Sequence, residues 1–170
     1  MIVLGVDPGS TVTGYGVVGR ADAGRGGGAL HLIECGVVRA PKTPDLARRL
    51  AAIHVEITAL IARHHPDALA IETVFVSHNP RSALVLGQAR GVVVLAAAQA
   101  DVTLAEYAPA LVKQAVTGTG AATKAQVQHM TARLLRLAAP PRPSDAADGV
   151  AVALTHCMVG ARTFRRAVVG

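Results

Sequence analysis

The sequence predicts an α/β fold: a five-stranded mixed sheet with helices on both faces. Three observations carry this. Short apolar runs at residues 2–6 and 68–71 are each closed by a carboxylate, Asp7 and Glu72, as buried strands ending at a sheet edge would be. Between them Leu46, Leu50, Ile53, Ile57, Leu60 and Ile61 recur at three- and four-residue steps, the apolar stripe of a helix that faces a sheet. The first strand is also turned back on itself by Pro8-Gly9-Ser10 into a second, so antiparallel and parallel neighbours belong to one sheet.

Taken in order, strand one covers residues 2–6 and strand two residues 15–18, followed by a Gly-rich hairpin loop at 20–28 with little side chain to pack. Strand three spans residues 29–38, with Gly36 a candidate bulge and residues 41–44 its end. Thr43 is placed to cap the first helix with Pro44 at its first position, and His64, His65 and Pro66 close it. Strand four, residues 68–71, follows a helical crossover, so it pairs parallel and right-handed with an earlier strand. If that strand is the first, Asp7 and Glu72 share one sheet edge. Residues 81–100 read as a helix interrupted by Gly87 and Gly91, which leave a smooth face where another backbone can approach. Strand five covers residues 102–106 and a short helix residues 109–117, broken by Gly118 and Gly120. Thr123 caps a helix reaching about residue 137, the Pro-rich stretch 138–143 stops it, and Ser144 caps the last helix.

At 170 residues and 51% hydrophobic content the chain suits a single domain, residues 1–170, with its own core. Aromatic residues make up only 2%, so Val, Leu, Ile and Ala must build that core. Seventeen Lys and Arg against eleven Asp and Glu give +6 and a pI near 10.2, which favours a polyanionic partner without choosing nucleic acid over membrane. Cys35 and Cys157 have no CxxC or His-rich spacing and read as reduced, buried thiols, which suggests the cytoplasm. No basic-then-apolar leader opens the chain, and no uninterrupted apolar run reaches the ~18 residues that span a bilayer. The greasiest run, residues 92–98 between Arg90 and Asp101, reads as a core helix and no membrane partner is expected.

Four acids have ordinary explanations one at a time. Asp7 can be a turn former, Glu72 a solvated group at a strand exit, and Asp145 a complement to a helix macrodipole. Asp148, three residues on and just before the apolar residues 150–154, points toward a half-buried region where an acid needs a partner. Together they point elsewhere. Like charges that converge cannot all ionise unless a cation joins them, and a hard divalent metal, Mg²⁺ or Mn²⁺, is the oxygen-seeking guest. Two such ions held roughly 4 Å apart by carboxylates would serve phosphodiester hydrolysis.

The order of elements resembles the ribonuclease-H-like fold, whose sheet places strand one beside strand four. More narrowly, six blocks resemble the RuvC family of bacterial Holliday junction resolvases. They are Asp7-Pro8-Gly9-Ser10 with Thr13-Gly14-Tyr15-Gly16, Ile71-Glu72 with Val74-Phe75, and Ser82-Ala83-Leu84 with Leu86-Gly87-Gln88-Ala89-Arg90-Gly91. The others are Val112-Lys113-Gln114, Lys124 with Gln126-Val127-Gln128-His129-Met130, and Asp145-Ala146-Ala147-Asp148 with Thr155-His156.

This resemblance implies a homodimeric endonuclease that nicks two opposed strands of a four-way DNA junction, with branch-migration motor proteins of the RuvA and RuvB type as possible partners. It makes Asp7, Glu72, Asp145 and Asp148 the catalytic, metal-holding acids. It also turns Lys113 and Lys124 toward DNA, offers Phe75 as a group that stacks on opened bases, and adds backbone contacts from Asn79 and Arg81. Core packing is the rival role for Phe75, and a solvated surface position for the lysines. His78 and Val85 depart from the basic residues many relatives carry there, and Arg162, Arg165 and Arg166 are further candidate DNA contacts. His129 and His156 read as packed or capping groups rather than ligands. Two other readings remain open. An actin-like or sugar-kinase-like nucleotide site also begins with Asp-x-Gly, though 170 residues are few for two lobes, and a junction-binding architectural protein would need the same basic charge without the acids.

Overall fold

The structure, a computed structural model, describes residues 1–21, 28–73 and 80–160. Three antiparallel strands come first, β1 (Ile2–Asp7), β2 (Val12–Arg20) and β3 (Leu30–Arg39), and then α1 (Leu46–His64). β4 (Ala68–Glu72), α2 (Pro80–Gln99) and β5 (Thr103–Tyr107) follow. The chain ends in α3 (Pro109–Thr117), α4 (Lys124–Leu134) and α5 (Ser144–Thr155), the last continued by a wider π-helical turn, His156–Gly160. The sheet order is β3-β2-β1-β4-β5, with β4 parallel to both β1 and β5. The predicted five-stranded mixed sheet and the pairing of strands one and four are therefore present.

Side-chain alternation divides the sheet into two cores. Leu4, Val6, Val17, Leu69 and Ile71 pack with Ile53, Ile57, Leu60 and Ile61 of α1 and with Ala89, Val93, Ala96 and Ala97 of α2. Val3, Val18, Ala70, Ala105 and Tyr107 pack on the other face with α3, α4 and α5. Aliphatic residues and alanines fill both, as the low aromatic content requires. By length and composition α2 is apolar enough to cross a membrane, with mean hydropathy 1.3. Its alanine and valine stripe nonetheless lies against the sheet, and its Arg90 is paired with Glu106 of β5.

Several boundaries differ from expectation, each for a local reason. Asp45 caps α1, accepting from the Arg48 N–H at 3.3 Å, while Thr43 accepts from the Asp45 N–H one step earlier. Ser144 does not cap α5; its hydroxyl accepts from Gln128 Nε2 at 2.9 Å and so ties α5 to α4. The bulge falls at Ile33, because Val17 pairs with Glu34 and Val18 with Leu32, whereas Gly36 lies under the Tyr15 ring. α2 runs unbroken through Gly87 and Gly91, where an added Cβ would meet nothing within 4 Å among the described residues. α4 ends three residues early: Arg136 is left-handed at φ 55°, and the Leu137 N–H returns to the Ala132 carbonyl, a Schellman closure. Of the predicted hairpin loop, residues 22–27 lie outside the described residues.

Candidate metal centre and nucleic-acid interface

The site is assembled by parity and by missing side chains. Counting in twos from Val3 and Ala70, which lie in the core beneath α5, puts Asp7 and Glu72 on that same face. Parallel pairing of β1 with β4, which runs to Val6 opposite Ile71, brings both acids to one sheet edge. α5 then lies directly on β1 and β2. A Cβ on Gly5, Gly14 or Gly16 would run into the α5 backbone at Gly149, Asp145 or Val150, and one on Gly149 would sit 2.6 Å from Tyr15 Cα. This glycine bed sets the height of the helix whose first turns carry Asp145 and Asp148. The sequence shows it as glycines at alternate strand positions, a sign of close backbone approach.

Three of the predicted acids, Asp7, Asp145 and Asp148, each bring an oxygen within 4.8 Å of the others. Glu72 stands outside this tightest set but lines the same cavity of about 300 Å³, together with Asp7, Asp148, Lys113 and Lys124. Burial, then the charges of Asp148 and Glu72, raise the Asp7 carboxyl to about 7, with Lys124 opposing. Burial and Asp148 raise Glu72, and burial raises Asp148 against the opposing hydrogen bond from Lys124. That bond is an ion pair of 2.6 Å between Lys124 Nζ and Asp148 Oδ2, and it raises the lysine in turn. All-oxygen donors held at elevated pKa fit a hard divalent cation, which would relieve the repulsion between them.

Lys113 of α3 and Lys124 of α4 form the basic side of the cavity, and Lys113 acts through space on Glu72. Arg81 is exposed in the first turn of α2 and Val85 is half-buried one turn on. Phe75, His78 and Asn79, like Arg162, Arg165 and Arg166, lie outside the described residues. His156 is packed as expected, its Nδ1 2.7 Å from the Tyr107 hydroxyl, whereas His129 is exposed on α4. Both cysteines are free thiols; Cys157 is buried, its pKa raised by burial to about 11, and Cys35 is only half-buried.

The sequence profile of the family described as "Crossover junction endodeoxyribonuclease RuvC" matches residues 3–156, which includes all four acids. The chain belongs to the RuvC family. A RuvC relative from Photorhabdus laumondii is 51% identical over 156 residues, covering 92% of this chain and 86% of that protein. The solved RuvC of Thermus thermophilus superposes with a TM-score of 0.86 at 36% identity, covering 96% of this chain and 97% of that one. The Thermus thermophilus RuvC solved in complex with a Holliday junction substrate gives 0.84 at 33% identity over 95% and 96%. RuvC proteins are metal-dependent nucleases, and the acidic cluster at the α5 face of this member's sheet is a place where metal could bind.

Proposed function

We propose that this chain resolves four-way (Holliday) DNA junctions in recombination and repair by metal-dependent hydrolysis of two opposed strands. The observation that carries the site assignment is the convergence of Asp7, Asp145 and Asp148 within 4.8 Å, with Glu72 on the same cavity, in a RuvC-family chain. These four acids would hold two Mg²⁺ or Mn²⁺ ions, with Asp7, on which the charges of Asp148, Glu72 and Asp145 all act, as their common ligand. When bound, the cations supply an activated water and neutralise the leaving oxygen. The residues do the rest. Lys113 and Lys124 orient the scissile phosphate, Arg81 and Asn79 hold neighbouring phosphates, and Phe75 stacks on bases opened at the junction centre. Water adds to phosphorus, the P–O3′ bond breaks, and a 5′-phosphate and a 3′-hydroxyl remain for ligation.

Residues 1–170 act as one nuclease unit in the cytoplasm, and a two-fold dimer presents two sites to a two-fold junction. The face of α2 bearing Leu84 and Leu95, 65% and 48% exposed, with open Gly87 and Gly91 between them, is the dimer surface. Motor proteins of the RuvA and RuvB type deliver the junction.

A gel assay with a synthetic mobile four-way junction, linear duplex as competitor and Mg²⁺ or Mn²⁺ present or absent tests this reading. Paired, symmetric nicks are expected from the parent, and Asp7→Asn should lower their rate at least ~10³-fold while junction binding persists, given the several kcal/mol that metal stabilisation supplies. Junction binding without nicking under either metal would show an architectural protein, and equal affinity for duplex and junction would overturn the assignment.

A further inference from the structure

We propose that Lys124 is a gate on metal loading: in the DNA-free enzyme its ammonium occupies Asp148 in place of a divalent cation, and a DNA phosphate draws it away. The inference rests on the site reading above and adds a coupling to it. Lys124 Nζ lies 2.6 Å from Asp148 Oδ2, and the charges acting on it are those of Asp148, Asp145 and Asp7, the acids that converge. An oxygen committed to an ammonium at that distance is not free to ligate, and a fixed positive charge there repels a second.

The pair is also built to part. Asp148 sits on α5 at 23% side-chain exposure, whereas the Lys124 side chain is 57% exposed at the first position of α4. Its backbone is pinned by the reciprocal capping bonds of Thr123 and Gln126, so only the flexible four-carbon stem need move. Lys113, which lines the same cavity, influences Glu72 through space. A strand phosphate entering between the two lysines offers Lys124 a new anion at the moment Asp148 is needed. Linkage makes the effect reciprocal: DNA tightens metal binding and metal tightens DNA binding.

The test is a calorimetric titration of the full chain with Ca²⁺, alone and on saturating four-way junction whose strands are recovered intact. In Lys124→Gln the free protein should bind Ca²⁺ about five-fold or more tightly than the parent, within the usual range of coupling between sites. On the junction the two should agree within about two-fold, so the coupling shrinks by the difference, and Lys124→Arg should keep the parent's coupling. A gain in Lys124→Gln that is equal with and without DNA would mean static repulsion and overturn the gate, as would no gain at all. Failure of the parent to bind Ca²⁺ on the junction, and of Lys124→Gln to bind it in either state, would overturn the metal site itself.

Discussion

Among the described residues Asp7 bears the sharpest conflict: burial, then Asp148 and Glu72, raise its carboxyl from 3.8 to about 7. With no metal bound, the folded chain therefore keeps a proton there that the unfolded chain releases near pH 4. The associated stability is complete below that pH and is lost as pH rises through about 7. The metal-free melting temperature should thus fall from pH 5 to 8, and Asp7→Asn should flatten that fall and melt ~3 °C higher at pH 8, the shift that ~1 kcal/mol gives at this length. Scanning calorimetry in chelator checks it; parallel parent and variant curves would count against the cluster. Asp7 and Glu72 were legible because a strand end is visible in sequence. The Lys124–Asp148 pair was not, since it joins α4 to α5 across 24 residues and only tertiary packing sets that distance.

The controlling element is α5, and its seat on the glycine bed makes a prediction a surface helix would not. Gly149→Ala places a methyl against the Tyr15 backbone, so helix or strand must shift. The expected cost is about 2 kcal/mol in urea unfolding, with at least tenfold slower cleavage because neighbouring Asp148 moves with it. An unchanged cleavage rate would mean that the height of α5 is not what places the acids. The span of α3, the start of α4 at its Thr123 cap and the crossover through α1 were readable from Pro, Gly and apolar spacing. The cap at Thr43 was misassigned because Thr43 and Asp45 both precede the helix closely and Asp45 is the nearer, and the cap at Ser144 because the helix already begins at Ser144, with Pro143 in the cap position and no side-chain cap. The bulge at Ile33 likewise follows from β2–β3 register, which no single residue announces.

For the whole molecule, the hairpin and a right-handed crossover required only that strand four run parallel to an earlier strand; the resemblance to the ribonuclease-H-like fold put it beside strand one, where the structure has it. Which helix face stays open was not legible: Gly87 and Gly91 look alike whether packed or bare. If the α2 face joins two copies, Leu84→Asp should shift sedimentation toward monomer at micromolar protein and replace paired nicks by single ones. A dimer unchanged by that substitution would place the interface elsewhere. If the acids at the ends of β1 and β4 and the start of α5 form one divalent-cation centre, anomalous diffraction from Mn²⁺-soaked crystals should find the ion among them. The predicted result is manganese ligated by Asp7, Asp145 and Asp148, with a second peak roughly 4 Å away toward Glu72. Manganese bound at other residues, in crystals of protein that nicks junctions with Mn²⁺, would contradict it.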